Sequence, residues 1–312
     1  MEKIEYLDIS TVDKSIQNGY NYVDITIPDT NKNSYPVIFW IHGGGWSSMS
    51  RKSCILDDTK EYLLAQGYAF VSAEYILCVR HENNSISSPG LKMVYDLKAA
   101  LRFIRSKANL YHLNTEYIVA MGESAGAHLA LILGTTNGNQ EYEDLSMGNA
   151  GFSSNVQLSV SYFGPSSMVC NDKNAENNDL LLAYGLLGDE VLNFSEKIIA
   201  LEKKMSPALL CNENIAPLFI THSKEDKTVN ISQSERMYDA AKKYLSEDDL
   251  KIIIYNTGSH GDRSTFDTYS AYTEVTEFIN NHIKKNEQKN KFSNVSLISI
   301  NYILMMLFLL LI

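Results

Sequence analysis

The chain has 312 residues, 45% of them hydrophobic, which suits one large α/β domain or two small ones with a sizeable core. Its 27 Lys and Arg against 37 Asp and Glu give a formal charge of −10, which excludes nucleic acid as a partner, because no basic surplus exists to neutralise phosphates. Cys54, Cys78, Cys170 and Cys211 are widely spaced, with no C-x-x-C pair and no His/Cys cluster, so they read as free thiols of a reducing compartment and indicate no metal site.

The first eight residues contain no apolar run, so no cleaved secretory signal is expected, and residues 1–20 read as polar and irregular. Residues 21–27 alternate apolar and polar side chains, as in an edge strand closed by Pro28. Residues 37–41 are continuously apolar, the pattern of a strand buried on both faces, and run into His42-Gly43-Gly44-Gly45-Trp46. A helix over 53–66 stops at Gly67, and a strand follows over 68–75. After a polar loop from His81 to Ser88, Pro89 opens a helix to about residue 107, with one stripe of Leu91, Val94, Leu97, Leu101 and Ile104.

Residues 117–121 form a short apolar strand and 125–133 a run of helix formers closed by Gly134. Between them lies Gly122-Glu123-Ser124-Ala125-Gly126, a G-x-S-x-G turn. A further strand over 156–162 ends at Gly164-Pro165. Residues 165–210 break the rhythm, Asn-rich at first and helical over 191–204, and read as an insertion over the carboxyl edge of the sheet. Strands over 216–222 and 250–255 flank a helix over 231–245, and a last helix covers 265–284.

Alternating strands and helices over 1–284 predict one α/β domain with a mainly parallel central sheet and helices on both faces. A polar linker over 285–294 leads to 295–312, which are apolar except for Ser296, Ser299 and Asn301. As a helix those eighteen residues would reach roughly 27 Å, close to the roughly 30 Å of a bilayer core. The preceding Lys284, Lys285, Lys289 and Lys291 favour a cytoplasmic flank, so a tail anchor with the body in the cytoplasm is expected; a helix packed on the body or on a partner is the alternative.

In such sheets ligands sit at the carboxyl ends of the strands, and four loops there carry reactive side chains. Ser124 would stand on a tight strand-to-helix turn, lifted out of the sheet, with Gly122 and Gly126 small because backbone crowds them. Gly43, Gly44 and Gly45 let the backbone approach a ligand, so the N–H groups of Gly44, Gly45 and Ala125 are candidates for an oxyanion hole. A phosphate loop would end in Gly-Lys-Ser/Thr, which is absent. After the strand ending at His222, Asp226 is the candidate acid that orients an imidazole, with Glu225 its competitor. Only His260 and His282 follow Asp226. His260, between small residues after the last strand, is the candidate base, whereas His282 reads as a surface residue of the final helix. His42 reads as shaping the glycine loop, His128 as packing or capping, and His222 as a buried, satisfied residue.

The order Ser124, Asp226, His260 is that of α/β-hydrolases. With His42-Gly43-Gly44-Gly45 upstream, the chain resembles the hormone-sensitive-lipase-like esterases, and more closely the branch of bacterial and fungal feruloyl-esterase-like (BD-FAE-like) proteins and kynurenine formamidases. Residues 71–75, 96–101, Gly122 to Gly126 with His128, Ser206-Pro207 and Gly258 to Gly261 extend the resemblance over about 20–284. It implies an α/β-hydrolase fold and a serine carboxylic-ester hydrolase acting on a small or medium ester without cofactor or metal. Cleavage of an amide by a formamidase- or peptidase-type enzyme is the alternative, and an inactive, membrane-tethered binding module a second one. Two positions depart from the family: Ile76 stands where an Arg often follows the strand tyrosine, so that ion pair does not carry over, and Ala127 stands where a glycine is common. The short N-terminal stretch leaves little room for a helical cap, which implies an open site for short acyl groups or a bulky alcohol half.

Overall fold

The computed structural model describes residues 2–5, 19–30, 32–169, 177–193 and 195–288. The tail of 295–312, and with it the expected anchor, lies outside the described residues, as do 289–294 of the linker. Among the described residues no helix is long and apolar enough to cross a membrane. The chain divides into two units, Met1–Tyr272, which holds the sheet, and Thr273–Ile312, which is helical as far as it is described.

In chain order the strands are β1 (Glu2–Glu5), β2 (Tyr22–Thr26), β3 (Tyr35–Ile41), β4 (Ala69–Ala73), β5 (Val79–Arg80), β6 (Ile86–Ser87), β7 (Leu113–Glu123), β8 (Leu158–Tyr162), β9 (Leu218–Ser223) and β10 (Leu250–Tyr255). The helices are α1 (Asp57–Ala65), α2 (Lys92–Ser106), α3 (Ala125–Thr135), α4 (Asn177–Leu187), α5 (Glu196–Lys204), α6 (Pro207–Leu210), α7 (Ser232–Ala241), α8 (Arg263–Phe266) and α9 over 269–288. Eight of the strands form one sheet in the order β1-β2-β4-β3-β7-β8-β9-β10. The pairs β1/β2 and β2/β4 are antiparallel; from β4 to β10 every neighbour is parallel.

The apolar runs explain this arrangement. Every residue of β4, β8 and β9 is buried, which requires cover on both faces of the sheet. Register then brings the strand ends together. Ile41 pairs with Gly122, Glu123 with Tyr162, and Tyr162 with Thr221, so β3, β7, β8 and β9 all deliver their following loops to one edge.

Several elements differ from the sequence expectation, each for a local reason. Strand β1 falls in the stretch read as irregular: its single apolar residue, Ile4, gives no alternation, yet it packs against the core while the backbone pairs with β2. The helix expected over 265–284 is instead α8 and α9, interrupted at Asp267. That carboxylate is buried and accepts the Asp58 and Thr59 N–H groups and the Thr59 hydroxyl, so it caps α1 from a distance of over 200 residues. The helix α9 continues through 288, into the residues read as linker. The polar face of α2 is not solvated: Lys98 and Arg102 are buried, and Glu143 pairs with both. The insertion carries α4 ahead of the expected helical piece, and Gly188, at φ +73°, separates α4 from a 3-10 turn at Asp189–Asn193 and from α5.

Candidate functional site

The site begins where β7 turns into α3. Ser124 has φ 53° and ψ −121°, a left-handed conformation that a side chain rarely adopts. The turn is held from both sides: the Ser124 N–H donates to the Tyr162 carbonyl at 2.9 Å, and the His128 N–H donates to the Ser124 carbonyl at 3.1 Å. The flanking glycines are required by space. A Cβ at Gly122 would lie 2.5 Å from the Gly126 carbonyl carbon and 2.7 Å from the Ile41 oxygen, and one at Gly126 would lie 2.1 Å from the Ile41 oxygen.

His260, half-buried in the loop after β10, has Nε2 2.8 Å from Ser124 Oγ. Its Nδ1 lies 2.6 Å from Asp226 Oδ2. Asp226 is buried in the turn after β9, and its Oδ1 accepts the N–H groups of Thr228 at 2.8 Å and Val229 at 2.9 Å. Burial alone would push this carboxyl up. The bonds from His222, His260 and the Val229 backbone outweigh it and hold Asp226 well below the usual carboxylate range. The competitor, Glu225, points elsewhere and accepts the Gly258 N–H at 3.3 Å. His282 is buried, contrary to its reading as a surface residue, and its Nδ1 bonds the Phe278 carbonyl at 2.8 Å.

The glycine loop after β3 curls through three consecutive left-handed residues, Gly44 at φ 91°, Gly45 at 57° and Trp46 at 57°. Its shape is fixed by groups outside it. The Gly43 N–H donates to Glu123 Oε1 at 2.7 Å, and burial pushes the Glu123 carboxyl up, the Gly43 bond opposing. His42 is buried, stacks on Tyr75 at 4.5 Å, and bonds Glu74 through Nε2 at 3.0 Å; the Tyr75 hydroxyl donates to the His42 carbonyl at 3.0 Å. Glu74 also takes the Arg51 guanidinium at 3.2 Å, and Arg51 in turn reaches Asp24 of β2 at 2.9 Å. Arg51 thus bridges two carboxylates behind the glycine loop, while the Ile76 N–H donates to Asp96 at 2.9 Å.

Trp46 is tied to α3 and to the insertion through His128. The Trp46 indole N–H donates to His128 Nδ1 at 3.2 Å, so His128 carries its proton on Nε2 and donates it to the Met205 carbonyl at 2.8 Å. Burial pushes His128 from about 6.5 down to about 4, the bond to Met205 opposing. The unfolded chain therefore binds a proton below about pH 6.5 that the folded chain refuses until about pH 4. Stability conferred by the neutral ring is present above that window and falls as pH drops through it, by about 3 kcal/mol at most. In His128→Gln, urea midpoints measured at pH 7.5 and pH 5 are expected to differ less than in the wild-type chain; an equal difference would show that His128 does not carry the dependence.

Of the residues singled out in the sequence, Ser124, Asp226 and His260 are thus hydrogen-bonded in a row, and His42 to Gly45 lie on the loop beside Gly122 to Gly126. Three contributors escape sequence reasoning. Glu123 is hidden in the variable position of G-x-S-x-G, Phe163 packs its ring 4.8 Å from that of His260, and His222 bonds Asp226 at 3.2 Å. Only the position of His222, at a strand end four residues before Asp226, carries any signal.

The BD-FAE family model matches residues 23–241, well over half of the chain, including Ser124 and Asp226. A "Probable isoprenylcysteine alpha-carbonyl methylesterase" of Oryza sativa subsp. japonica is 26% identical over 269 residues, 82% of this chain and 59% of that protein. A kynurenine formamidase of Aspergillus versicolor is 31% identical over 135 residues, 40% of this chain and 46% of that protein. A bifunctional GH43-CE protein of Bacteroides eggerthii superposes with a TM-score of 0.73 at 26% identity, over 90% of this chain and 38% of its own. The chain spans less than two thirds of each of these proteins. With the family model matched over most of its length, the chain belongs to the BD-FAE family, in the esterase branch of the α/β-hydrolases.

Proposed function

We propose that this chain is a serine carboxylic-ester hydrolase acting on a small or medium ester. The observation that carries the reading is the row Asp226–His260–Ser124, with 2.6 and 2.8 Å separations. In this reading His260 Nε2 takes the Ser124 proton as Oγ attacks the ester carbonyl, and the N–H groups of Gly44, Gly45 and Ala125 receive the oxyanion. Each such donor is worth about 2.7–4 kcal/mol of barrier, and the base about 10²–10⁴-fold in rate. Asp226 holds the imidazole in one tautomer and offsets its charge. The imidazolium then protonates the departing alkoxide, and water, deprotonated by His260, releases the acid from Ser124.

The match to a kynurenine formamidase favours a second reading, in which the same groups cleave a formamide. A fluorophosphonate probe is expected to label the wild-type chain and not Ser124→Ala; labelling that survives the substitution sinks both readings. Turnover of short nitrophenyl esters against N-formylkynurenine then separates them, with the esters expected to be the better substrates.

A further inference from the structure

The triad carboxylate is shared. His222 is fully buried at the end of β9. Its Nε2 faces two acceptors, Asp226 Oδ2 at 3.2 Å and the Val229 carbonyl at 3.0 Å. Two acceptors on one ring nitrogen require the proton to be there. The other nitrogen, Nδ1, is then the acceptor for the Ser234 hydroxyl, 2.7 Å away on α7. Asp226 Oδ2 accordingly receives two imidazole N–H groups, from His260 and from His222.

We propose that His222 is a positioning residue of the triad, a second imidazole that shares Asp226 Oδ2 with His260 and so sets how much negative charge the base meets. The proposal rests on the hydrolase reading for its consequence and on geometry alone for its substance. Two backbone N–H groups already hold the other oxygen, Asp226 Oδ1. What His222 adds is a donor on the oxygen that His260 uses. A carboxylate oxygen that gives up density to one donor is a weaker acceptor for the next. His222 therefore moderates the hold of Asp226 on the His260 imidazolium. The other charged groups around His260 are untouched by a change at His222: Glu123 at the end of β7, Glu225 bonded to the Gly258 N–H, and Asp262 in the same loop.

The test is a nitrogen-15 titration of the His260 ring in the full chain, assigned by its loss in His260→Gln. His222→Asn keeps a polar group near Ser234 but cannot reach Oδ2, and the pH at which His260 takes up its proton is expected to rise by about half a unit to one unit. His222→Gln, which restores a donor near the Nε2 position, is expected to return it to the wild-type value. An unchanged or lower midpoint in a folded His222→Asn overturns the proposal. If that variant does not fold, the wild-type spectrum decides: neutral His222 protonated on Nε2 is expected, and protonation on Nδ1 overturns it. Both readouts are independent of turnover, so a chain that hydrolyses no ester would refute the function without touching this assignment. In an active chain, the acid limb of kcat/KM is expected to move with the His260 midpoint.

Discussion

Ser124→Ala is expected to lower kcat on an activated short ester by about 10⁴- to 10⁶-fold, with little change in thermal midpoint. The nucleophile is removed, but the turn is not: alanine meets the same left-handed backbone at φ 53° with the same Cβ, so the strain of that position is unchanged. Asp226→Asn is expected to cost about 10⁴-fold, because a side-chain amide cannot receive both the His260 and the His222 protons on one charged oxygen. The double variant should be little worse than Ser124→Ala alone, since the groups act as one unit. Steady-state assays of the three proteins beside thermal melts check this. More than about one hundredth of wild-type turnover in a folded Ser124→Ala, free of contaminating esterase, would move the nucleophile elsewhere.

Gly126→Ala is expected to have the largest effect on stability, a loss of more than about 4 kcal/mol or no soluble protein. Its Cβ would sit 2.1 Å from the Ile41 oxygen and 2.5 Å from the His42 oxygen. Both are backbone atoms at the end of a central strand, so relief requires β3 and α3 to part. Two nearby glycines provide the contrast. At Gly43 the Cβ would meet the Glu123 carboxylate at 2.4 Å, and a side chain can swing away. At Gly45 nothing lies within 4 Å, which leaves only the left-handed backbone to oppose alanine, about 1–2 kcal/mol. Denaturant titration of the three variants should rank Gly126 far above Gly43 and Gly45. A soluble Gly126→Ala within about 1 kcal/mol of wild type would mean that β3 and α3 are packed more loosely than these distances require.

The parallel half of the sheet is legible because a continuous apolar run as short as 37–41, bounded by polar residues and glycines, suits a strand covered on both faces and little else. The serine turn and Gly44 of the glycine loop are legible for a different reason: only glycine fits where carbonyl oxygens stand 2–3 Å from a would-be Cβ, so the residue type records the geometry. What escapes is whatever depends on a partner distant in the chain. Asp267 looks like any helix residue until α1 is seen to lack its own cap. Lys98 and Arg102 look solvated until Glu143 is placed between them. Arg51 gives no hint that it pairs with both Glu74 and Asp24. His222 reads as a satisfied buried histidine, which it is, but one of the groups that satisfy it is Asp226, the carboxylate bonded to His260. Strand β1 escapes because one apolar residue makes no pattern.

The sheet order has a consequence for the chain as it is made. Ser124 and His260 meet across 136 positions of sequence, and strands β8, β9 and β10 all lie between them in synthesis. At about 5–20 residues per second, a ribosome needs roughly 7–27 s to travel from the nucleophile to its base. Throughout that interval the emerging chain carries Ser124 without His260, while β8, β9 and β10 are still being made in turn. On the proposed reading, a half-made chain has a nucleophile without its base, and the pair is complete only when β10 and the loop of His260 are in place.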